Sequence, residues 1–420
     1  MRLAPNLLIF LSSFTKNCII QLFDVSLQKY YKMNCTRLFC FLCVFLFTKT
    51  PLFCQEEKSI STAFPFLILN SDAISAGKGE VGVASSPDVF SQRVNASKYI
   101  FLPTSSAVAI NYMPFTHRAV RDVFLGGITF YKKRIRDAFG ANFSYFSIGD
   151  VNLTQDIGQQ SYMLGTFKPT ELSLEGSYSL QLSQSFAMGV TSRFLSSQLS
   201  IPSQGKSVAR ALAFDIAGYF YSQEHFISSL LYRYTWGFQL SNVGTKVKYD
   251  DLGRSFYLPT QLKLGAGFLL QTDSYNEWEL SIEAQKYLVP TPNEQGVPDK
   301  DIIEALVTSF YDAPNGFREE FHEINWAIGL EYKYNQSFFL RSGFFYQHKD
   351  KGDRKFLSIG AGFAFNNWQM DVAYPFSFST YNNPFSTFKI NLIYRFGQQW
   401  LFYNHLLHHH ISYSFFSLKL

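Results

Sequence analysis

The sequence predicts an all-β fold, a transmembrane antiparallel β-barrel of about 14 strands with an N-terminal plug segment and long extracellular loops. Three observations lead to this prediction. Many segments place large apolar residues at every second position, the 420 residues include 45 Phe and 25 Tyr, and residues 388–396 form an alternating segment that ends on an aromatic residue. A membrane barrel needs one apolar face per strand and aromatic girdles at both interfaces, which explains both the pattern and the composition.

The segment 388–396 shows the alternation most clearly. Successive side chains of a strand point to opposite faces, so Leu392 lies on an apolar face, whereas Lys389, Asn391 and Arg395 lie on the other. We expect Leu392 to face lipid and Lys389 to face the lumen, with residues 386–396 as the closing strand of the barrel.

The other strands are expected where period-2 segments lie between turn signals. These segments are 105–113, 123–133, 136–147, 169–181, 185–199, 208–221, 228–240, 258–271, 275–287, 325–335, 337–348, 355–365 and 366–375. The long connections lie at 148–168, 241–257, 288–324 and 376–385, and they alternate with tight turns. If both termini are periplasmic, every long connection lies outside the cell, as in outer-membrane barrels.

Two internal segments illustrate the predicted faces. In 277–285, Trp278, Leu280 and Ile282 share one face and oppose a polar face rich in Glu. In 357–365, large apolar residues oppose Ser358, Gly360 and other small residues, which we expect to face inward. A soluble β-sandwich also alternates, but it would not explain the export signal and the strand lengths together.

The N-terminus has the organisation of a signal peptide at residues 33–54, preceded by a probable upstream extension at 1–32. Lys32 and Arg37 flank a ten-residue apolar core at 38–47, which is too short to span a bilayer. Cleavage is expected near Cys54; Cys54 as a lipoprotein cysteine is the weaker alternative, because residues 51–53 fit a lipobox badly. The mature chain would then contain no disulfide and no cysteine metal site, since all five cysteines lie at or before this point: Cys18, Cys35, Cys40, Cys43 and Cys54.

The rest of the chain divides into a plug at 55–104, a barrel at 105–396 and an atypical tail at 397–420. The tail carries three histidines at 408–410, a type of run that can hold a transition metal, but an unpatterned terminal segment is the simpler interpretation. We therefore predict no metal and no other cofactor. The 37 basic and 32 acidic residues are scattered along the chain, which argues against a nucleic-acid partner.

Two regions outside the strands show local patterns. Gly77, Gly79 and Gly82 can take positive φ or allow close backbone approach, so they suit a segment folded inside a lumen; a flexible leader is the alternative. In 288–324, apolar residues recur at helical spacing after Asp299 and Asp301, and they predict a short amphipathic helix: Ile302, Ile303, Leu306, Val307 and Phe310. That apolar stripe should pack on the barrel mouth or, as the second choice, form part of a protein-binding surface. The acidic Glu319, Glu320 and Glu323 are expected to form a solvated face.

Several motifs resemble those of the PorV family, a branch of the FadL-like outer-membrane barrels. Segments 63–67, 72–84 and 95–99 are similar to the plug region of that family, and they carry Asp72, Gly77, Gly79, Glu80, Gly82 and Asn95. Segments 287–292, 309–320 and 347–352 resemble later PorV motifs, and they carry Pro290, Pro292, Asp312, Pro314, Gly316, Phe317, Glu319 and Glu320. Asn315 stands where a glycine is expected. The resemblance runs from about residue 60 to residue 396.

The resemblance implies a non-enzymatic subunit of the type IX secretion system of Bacteroidetes. Such a subunit would sit in outer-membrane lipid, take secreted cargo by its C-terminal domain from a large translocon barrel, and deliver it to a cell-surface complex with a sortase-type subunit. The residues in the plug-region motifs, from Asp72 to Asn95, would hold the plug. The residues in the later motifs, from Pro290 to Glu320, would belong to a partner-binding loop. Loops 148–168, 241–257 and 288–324 would form the docking surface.

Two alternative functions are transport of hydrophobic small molecules and deacylation of lipid A. FadL-like relatives transport hydrophobic small molecules, and a continuous apolar tunnel would favour that activity. A lipid A deacylase has also been proposed for the family. The sequence gives it no support, because His117, His225, His322 and His348 do not lie in a recognisable nucleophile motif.

Overall fold

A computed structural model describes residues 62–115, 122–157, 160–199, 208–228, 230–249, 255–292, 297–379 and 386–396. The signal peptide, the upstream extension and the C-terminal tail expected from the sequence lie outside these ranges. Among the described residues, no helix is long and apolar enough to cross a membrane.

Antiparallel strands make up most of the described chain. They are β1 (Ser106–Pro114), β2 (Val123–Lys133), β3 (Asp137–Ile148), β4 (Val151–Ile157), β5 (Gln160–Phe167), β6 (Thr170–Gln181), β7 (Phe186–Gln198), β8 (Ala209–Tyr221), β9 (His225–Ile227), β10 (Leu230–Gly244), β11 (Gln261–Gln271), β12 (Asn276–Tyr287), β13 (Ile324–Tyr334), β14 (Phe338–Tyr346), β15 (Lys355–Phe365), β16 (Trp368–Ser377) and β17 (Lys389–Phe396). Four short α-helices accompany them: α1 (Ala73–Gly77), α2 (Ser91–Val94), α3 (Ile302–Thr308) and α4 (Phe317–His322).

Fourteen of these strands form one closed antiparallel barrel. Neighbours along the chain pair with each other, β10 pairs with β11, and β17 pairs with β1, which closes the sheet. The closing register places Ser106 opposite Phe396 and Ile110 opposite Leu392. β9 is a short extension beside β10, and β4 and β5 form a separate hairpin. The predicted fold class and its 14 strands are confirmed, and segments 123–133 and 355–365 have the predicted bounds.

The hairpin of β4 and β5 was not predicted. It lies within 148–168, which the sequence predicts as a long connection between strands. Its two strands pair only with each other and contribute nothing to barrel closure, so the count of barrel strands is unaffected. The long connection is thus an extended β-ribbon.

The alternation of side chains matches the two predicted faces. Leu392 is 43% exposed on the outer face, whereas Lys389 is 1% exposed and faces the lumen. In β12 the outer face carries Trp278, Leu280 and Ile282, and its glutamates are directed inward. Ser358 of β15 is buried, in agreement with the expectation that small residues face inward.

The two ends of the barrel differ. One end carries the connections 134–136, 182–185, 222–229, 272–275, 335–337 and 366–367, most of them tight turns, and also the last residue of β17. The other end carries 115–122, 149–169, 199–208, 245–260, 288–323, 347–354 and 378–388. We call the first the turn end and the second the loop end. The predicted division into short and long connections is therefore present.

Residues 62–104, here called the luminal segment, lie inside the barrel. The segment begins at the loop end, where the Ala63 amide donates to the Tyr257 carbonyl at 2.8 Å. It continues through α1 and α2 and reaches β1 at the turn end. Its start packs in an apolar cluster with Met113, Leu125 and Leu195. The first described residue, Thr62, thus lies at the end opposite to Phe396.

Candidate functional site

The luminal segment is tied to β17 through Asp72. The Asp72 carboxylate caps α1 by accepting hydrogen bonds from the backbone amides of Ile74 at 2.8 Å and Ser75 at 2.9 Å. Asn391 of β17 donates to the same carboxylate at 2.6 Å, and its side-chain oxygen accepts from the Ala73 amide at 3.1 Å. One inward side chain of the closing strand therefore holds the start of α1.

Glycines allow the segment to approach the barrel wall closely. Gly79 has φ +70°, and a Cβ atom there would lie 2.6 Å from the Phe344 backbone nitrogen. At Gly77 a Cβ would lie 3.2 Å from the Cα of Gly360. The Gly82 amide donates to the Glu283 carboxylate at 2.8 Å. Side chains at Gly77 and Gly79 would displace the segment from the strands, whereas a Cβ at Gly82 would meet Val94 of the segment itself.

Glu80 and Asn95 also contact the barrel. Glu80 forms ion pairs with Arg354 and, at 3.8 Å, with Lys389 of β17. The side-chain amide of Asn95 donates to the carbonyls of Val83 at 2.9 Å and Gly218 at 3.0 Å. Every one of the six quoted plug residues therefore lies in the luminal segment, in contact with the strands or with the segment's own backbone.

Ion pairs in the lumen were missed by the sequence analysis. Arg341 contacts Glu331 at 2.6 Å and Asp371 at 2.7 Å, while Lys78 of the luminal segment contacts Glu279 at 3.5 Å. A second cluster joins Arg193 to Glu175 at 3.1 Å and to Asp215 at 3.0 Å. Charged residues at inward positions of the alternating strands could be identified from the sequence. Their pairing could not, because the partners lie on different strands. These pairs fill much of the lumen with charge.

A cavity of about 410 Å³ remains between the luminal segment and the barrel wall. Its lining includes Thr62, Ser379 and Asp353, so it reaches the loop end. Its lining mixes polar side chains such as Gln239 and Asn325 with apolar ones such as Leu67 and Phe90. The cavity is therefore not a continuous apolar tunnel of the kind that favours transport of a hydrocarbon.

The connection 288–323 forms a compact structure at the loop end. Thr291 donates to the Asp312 carboxylate from its amide at 3.2 Å and from its hydroxyl at 3.1 Å. Pro290 is buried and Pro292 is half-buried beside it. Burial raises the pKa of Asp312, and the two hydrogen bonds from Thr291 oppose this rise. Asn315 has an ordinary negative φ, and Gly316 supplies the positive φ, at +70°.

The glutamates of α4 are buried, which corrects the expectation of a solvated face. Lys351 contacts Glu319 at 2.7 Å and Glu323 at 2.8 Å, and Lys286 contacts Glu320 at 2.9 Å and Glu323 at 2.6 Å. Burial would raise the pKa of Glu323, but hydrogen bonds from the two lysines outweigh it and hold that pKa below its usual value. Glu319 and Glu320, which the resemblance assigns to a partner-binding loop, form these ion pairs with Lys351 and Lys286.

The predicted apolar stripe is covered only in part: Ile302 and Leu306 are half-buried, whereas Ile303, Val307 and Phe310 are exposed, which corrects the expectation that the whole stripe packs on the barrel mouth. Ala305 is the buried residue of this helix, and it packs against Tyr257 and Val289. The exposed side chains around it belong to α3, α4 and the segment between them, and we call them the apolar loop surface: Ile303, Val307, Phe310, Tyr311, Phe317 and Phe321. Phe317 is 86% exposed, and the adjacent Pro314 and Gly316 are also exposed. Such a cluster is typical of an interaction surface.

These features define a class of protein: a closed β-barrel with an apolar outer face, a lumen filled by its own N-terminal segment, and an elaborated loop end. Residues 53–294 match the family described as "Type IX secretion system protein PorV". The match covers more than half of the chain, and the chain belongs to this family. It is therefore an outer-membrane β-barrel component of a type IX secretion system. The family description is that of a secretion protein rather than of an enzyme.

Solved structures that are similar to this chain include toluene transporters and a FadL homologue. The Pseudomonas putida toluene transporter TodX matches with a TM-score of 0.45 and 11% identity, covering 80% of this chain and 98% of that one. The Ralstonia pickettii toluene transporter TbuX matches with a TM-score of 0.41 and 12% identity over 77% and 98% of the two chains. A Pseudomonas aeruginosa FadL homologue matches with a TM-score of 0.40 and 11% identity over 78% and 98%. No curated protein matches the chain.

Proposed function

We propose that this protein is a non-enzymatic carrier of the type IX secretion system. It receives secreted cargo by the C-terminal signal domain of that cargo from the large translocon barrel and delivers it to the surface attachment complex, which contains a sortase-type subunit. Membership of the PorV family supports the secretion role. The filled lumen supports a role in which the barrel anchors the protein in the membrane and the loop end binds other proteins.

The observation that carries the docking proposal is the apolar loop surface. Phe317 and Ile303 are 86% and 77% exposed. The connection that carries them is nevertheless held on the barrel by buried ion pairs between lysines and glutamates. Because this connection is held in place, its apolar side chains stay exposed to water. Binding of a protein partner would bury them, which is favourable. The cargo domain and the attachment complex are the partners we assign to it.

The proposed topology places the loop end outside the cell and the turn end, with the last residue of β17, in the periplasm. Phe317 at the loop end and Ile135 at the turn end are both highly exposed, at 86% and 94%. In intact cells, a membrane-impermeant maleimide should label Phe317→Cys, whereas Ile135→Cys should be labelled only after the outer membrane is permeabilised. Labelling of Ile135→Cys alone in intact cells would invert the topology.

The docking proposal is tested by making the apolar loop surface polar. We expect the triple variant Ile303→Ser, Val307→Ser, Phe317→Ser to assemble normally and to leave cargo secreted but unattached to the cell surface. Glu304→Gln is the matched control, because Glu304 is exposed on the same helix and is polar in both forms. Heat-modifiable migration on gels reports barrel assembly. Unchanged surface attachment in a correctly assembled triple variant would refute the assignment, as it would for deletion of residues 299–310.

Transport of hydrophobic small molecules is the alternative function. The charged clusters around Arg341 and Arg193 occupy the lumen, and polar and charged side chains interrupt the lining of the cavity beside them. An apolar solute crossing this region would have to displace buried ion pairs at a cost of several kcal/mol. The lumen therefore favours the carrier proposal, and uptake of a hydrocarbon by vesicles that contain the protein would favour the transporter.

A further inference from the structure

Two histidines from different connections meet at the loop end. His322 is the last residue of α4, and His348 lies in the connection between β14 and β15. Their rings are stacked, with centroids 3.7 Å apart and planes inclined by 9°. Asp350 lies beside them, and one potential ligand atom from each of the three residues lies within 4.8 Å of the others. Distance along the chain hides this group from sequence analysis, which predicted no metal site.

The surrounding structure fixes the backbone of both segments. His348 accepts a hydrogen bond from the Asp350 amide at 3.3 Å and so caps the 3-10 turn Lys349–Lys351. Lys351, at the end of that turn, contacts Glu319 on α4 at 2.7 Å. The three side chains stand on this support and are half-buried, which leaves them open to solvent on one side. A ligand from solvent can therefore reach them without unfolding the loops.

We propose that His322, His348 and Asp350 bind a divalent transition metal ion, with zinc as the best match. Two imidazoles and one carboxylate are a common three-residue ligand set for zinc, and a water molecule completes the tetrahedron. Zinc–nitrogen bonds of about 2.0–2.1 Å require the ligand atoms to move closer than they are now. A shared metal must also lie in the plane of each ring, so binding requires one of the two stacked rings to turn about its Cβ–Cγ bond. Binding through Nδ1 of His348 would also replace the hydrogen bond that this atom accepts from the Asp350 amide.

The charges around the site affect how tightly it can bind a cation. The positive charges of Lys349 and Lys355 lie near His348 and work against a further cation. The balance of these charges predicts moderate rather than very tight affinity. The carboxylate of Asp350 supplies the one negative charge within the ligand set.

A bound metal would join α4 to the connection between β14 and β15. Phe317 and Phe321 lie on α4, so the ion would restrict the motion of that part of the apolar loop surface. Metal binding itself does not depend on the proposed secretion role. If no metal binds, the docking proposal still stands. If the docking proposal fails, the metal proposal still stands.

The test uses the full chain in detergent, purified through a tag without histidine. The background variant replaces His405 and residues 408–410 with alanine, because the histidine-rich tail could bind metal by itself. After removal of metals with a chelator, equilibrium dialysis against zinc chloride should give one zinc per chain with micromolar affinity. Cobalt(II) should show the visible absorption of a tetrahedral site.

Matched variants decide the assignment. His322→Ala combined with His348→Ala should weaken zinc binding more than tenfold, and Asp350→Asn should weaken it less. His225→Ala is the control, since His225 lies at the turn end, stacked on Tyr232 and Tyr234. His322→Gln, a milder change in the loops, should also lose binding while barrel assembly stays normal. Equal zinc uptake by the background and the double variant, or none by the background, would overturn the proposal.

Discussion

The arrangement of the outer face predicts a depth-dependent cost for charge on β17. Leu392 is the fourth of the eight residues of this strand, and its partners are Ile110 in the middle of β1 and Met370 of β16. Its side chain is 43% exposed on the outer face, and its position in the middle of the strand places it near the centre of the apolar band. Leu392→Arg should therefore reduce the free energy of unfolding by about 2–4 kcal/mol, the cost of arginine near the bilayer midplane.

Phe396 provides the matched comparison. It is 42% exposed, almost as much as Leu392, but it is the last residue of the same strand and pairs with Ser106 at the start of β1. Because that position lies at the interface, Phe396→Arg should cost only about 0–1 kcal/mol for the charge. Urea unfolding in phospholipid vesicles, followed by tryptophan fluorescence, measures both. Equal losses for the two variants would show that β17 does not cross the bilayer in this register.

Two further predictions concern the luminal segment and the α4 anchor. Gly79→Ala should destabilise the protein by about 1–3 kcal/mol, because alanine is strained at φ +70° and its Cβ would meet the Phe344 nitrogen; Gly176→Ala, where a Cβ meets nothing within 4 Å, should be nearly neutral in the same urea assay. The pKa of Glu323 is held below its usual 4.5, so the stabilisation that it gives is present above about pH 4.5 and is lost as the pH falls towards the folded value. Hydrogen exchange in α4, corrected for its intrinsic pH dependence, should therefore accelerate below that pH, and Glu323→Gln should remove this dependence; an unchanged pH profile would contradict the anchor.

The barrel could be predicted from the sequence because its determinants are local. Alternation within β12 and β15 assigns each side chain to the lipid face or the lumen, and strand length follows from the same pattern. The glycines of the luminal segment are likewise readable, since Gly79 requires a conformation and a close approach that other residues resist.

The loop end could not be predicted in the same way because its contacts are distant in sequence. The residues next to Glu319 in the sequence predict that it is exposed to solvent. Lys351, from another connection, forms an ion pair with Glu319 and allows this glutamate to be buried. The spacing of α3 showed an amphipathic helix correctly, but spacing does not tell whether the barrel or another protein covers the apolar face. The stacked pair of His322 and His348 depends on the same two connections.

The central claim is that the loop end of a plugged outer-membrane barrel binds secreted proteins. Its most direct test is a photo-crosslinking amino acid placed at Phe317 in cells that secrete cargo, with the same amino acid at Ile135 as the control of similar exposure at the turn end. The account predicts an adduct between position 317 and the C-terminal domain of cargo, identified by mass spectrometry, and no such adduct at position 135. Cargo adducts at position 135 alone, or at both positions equally, would contradict it.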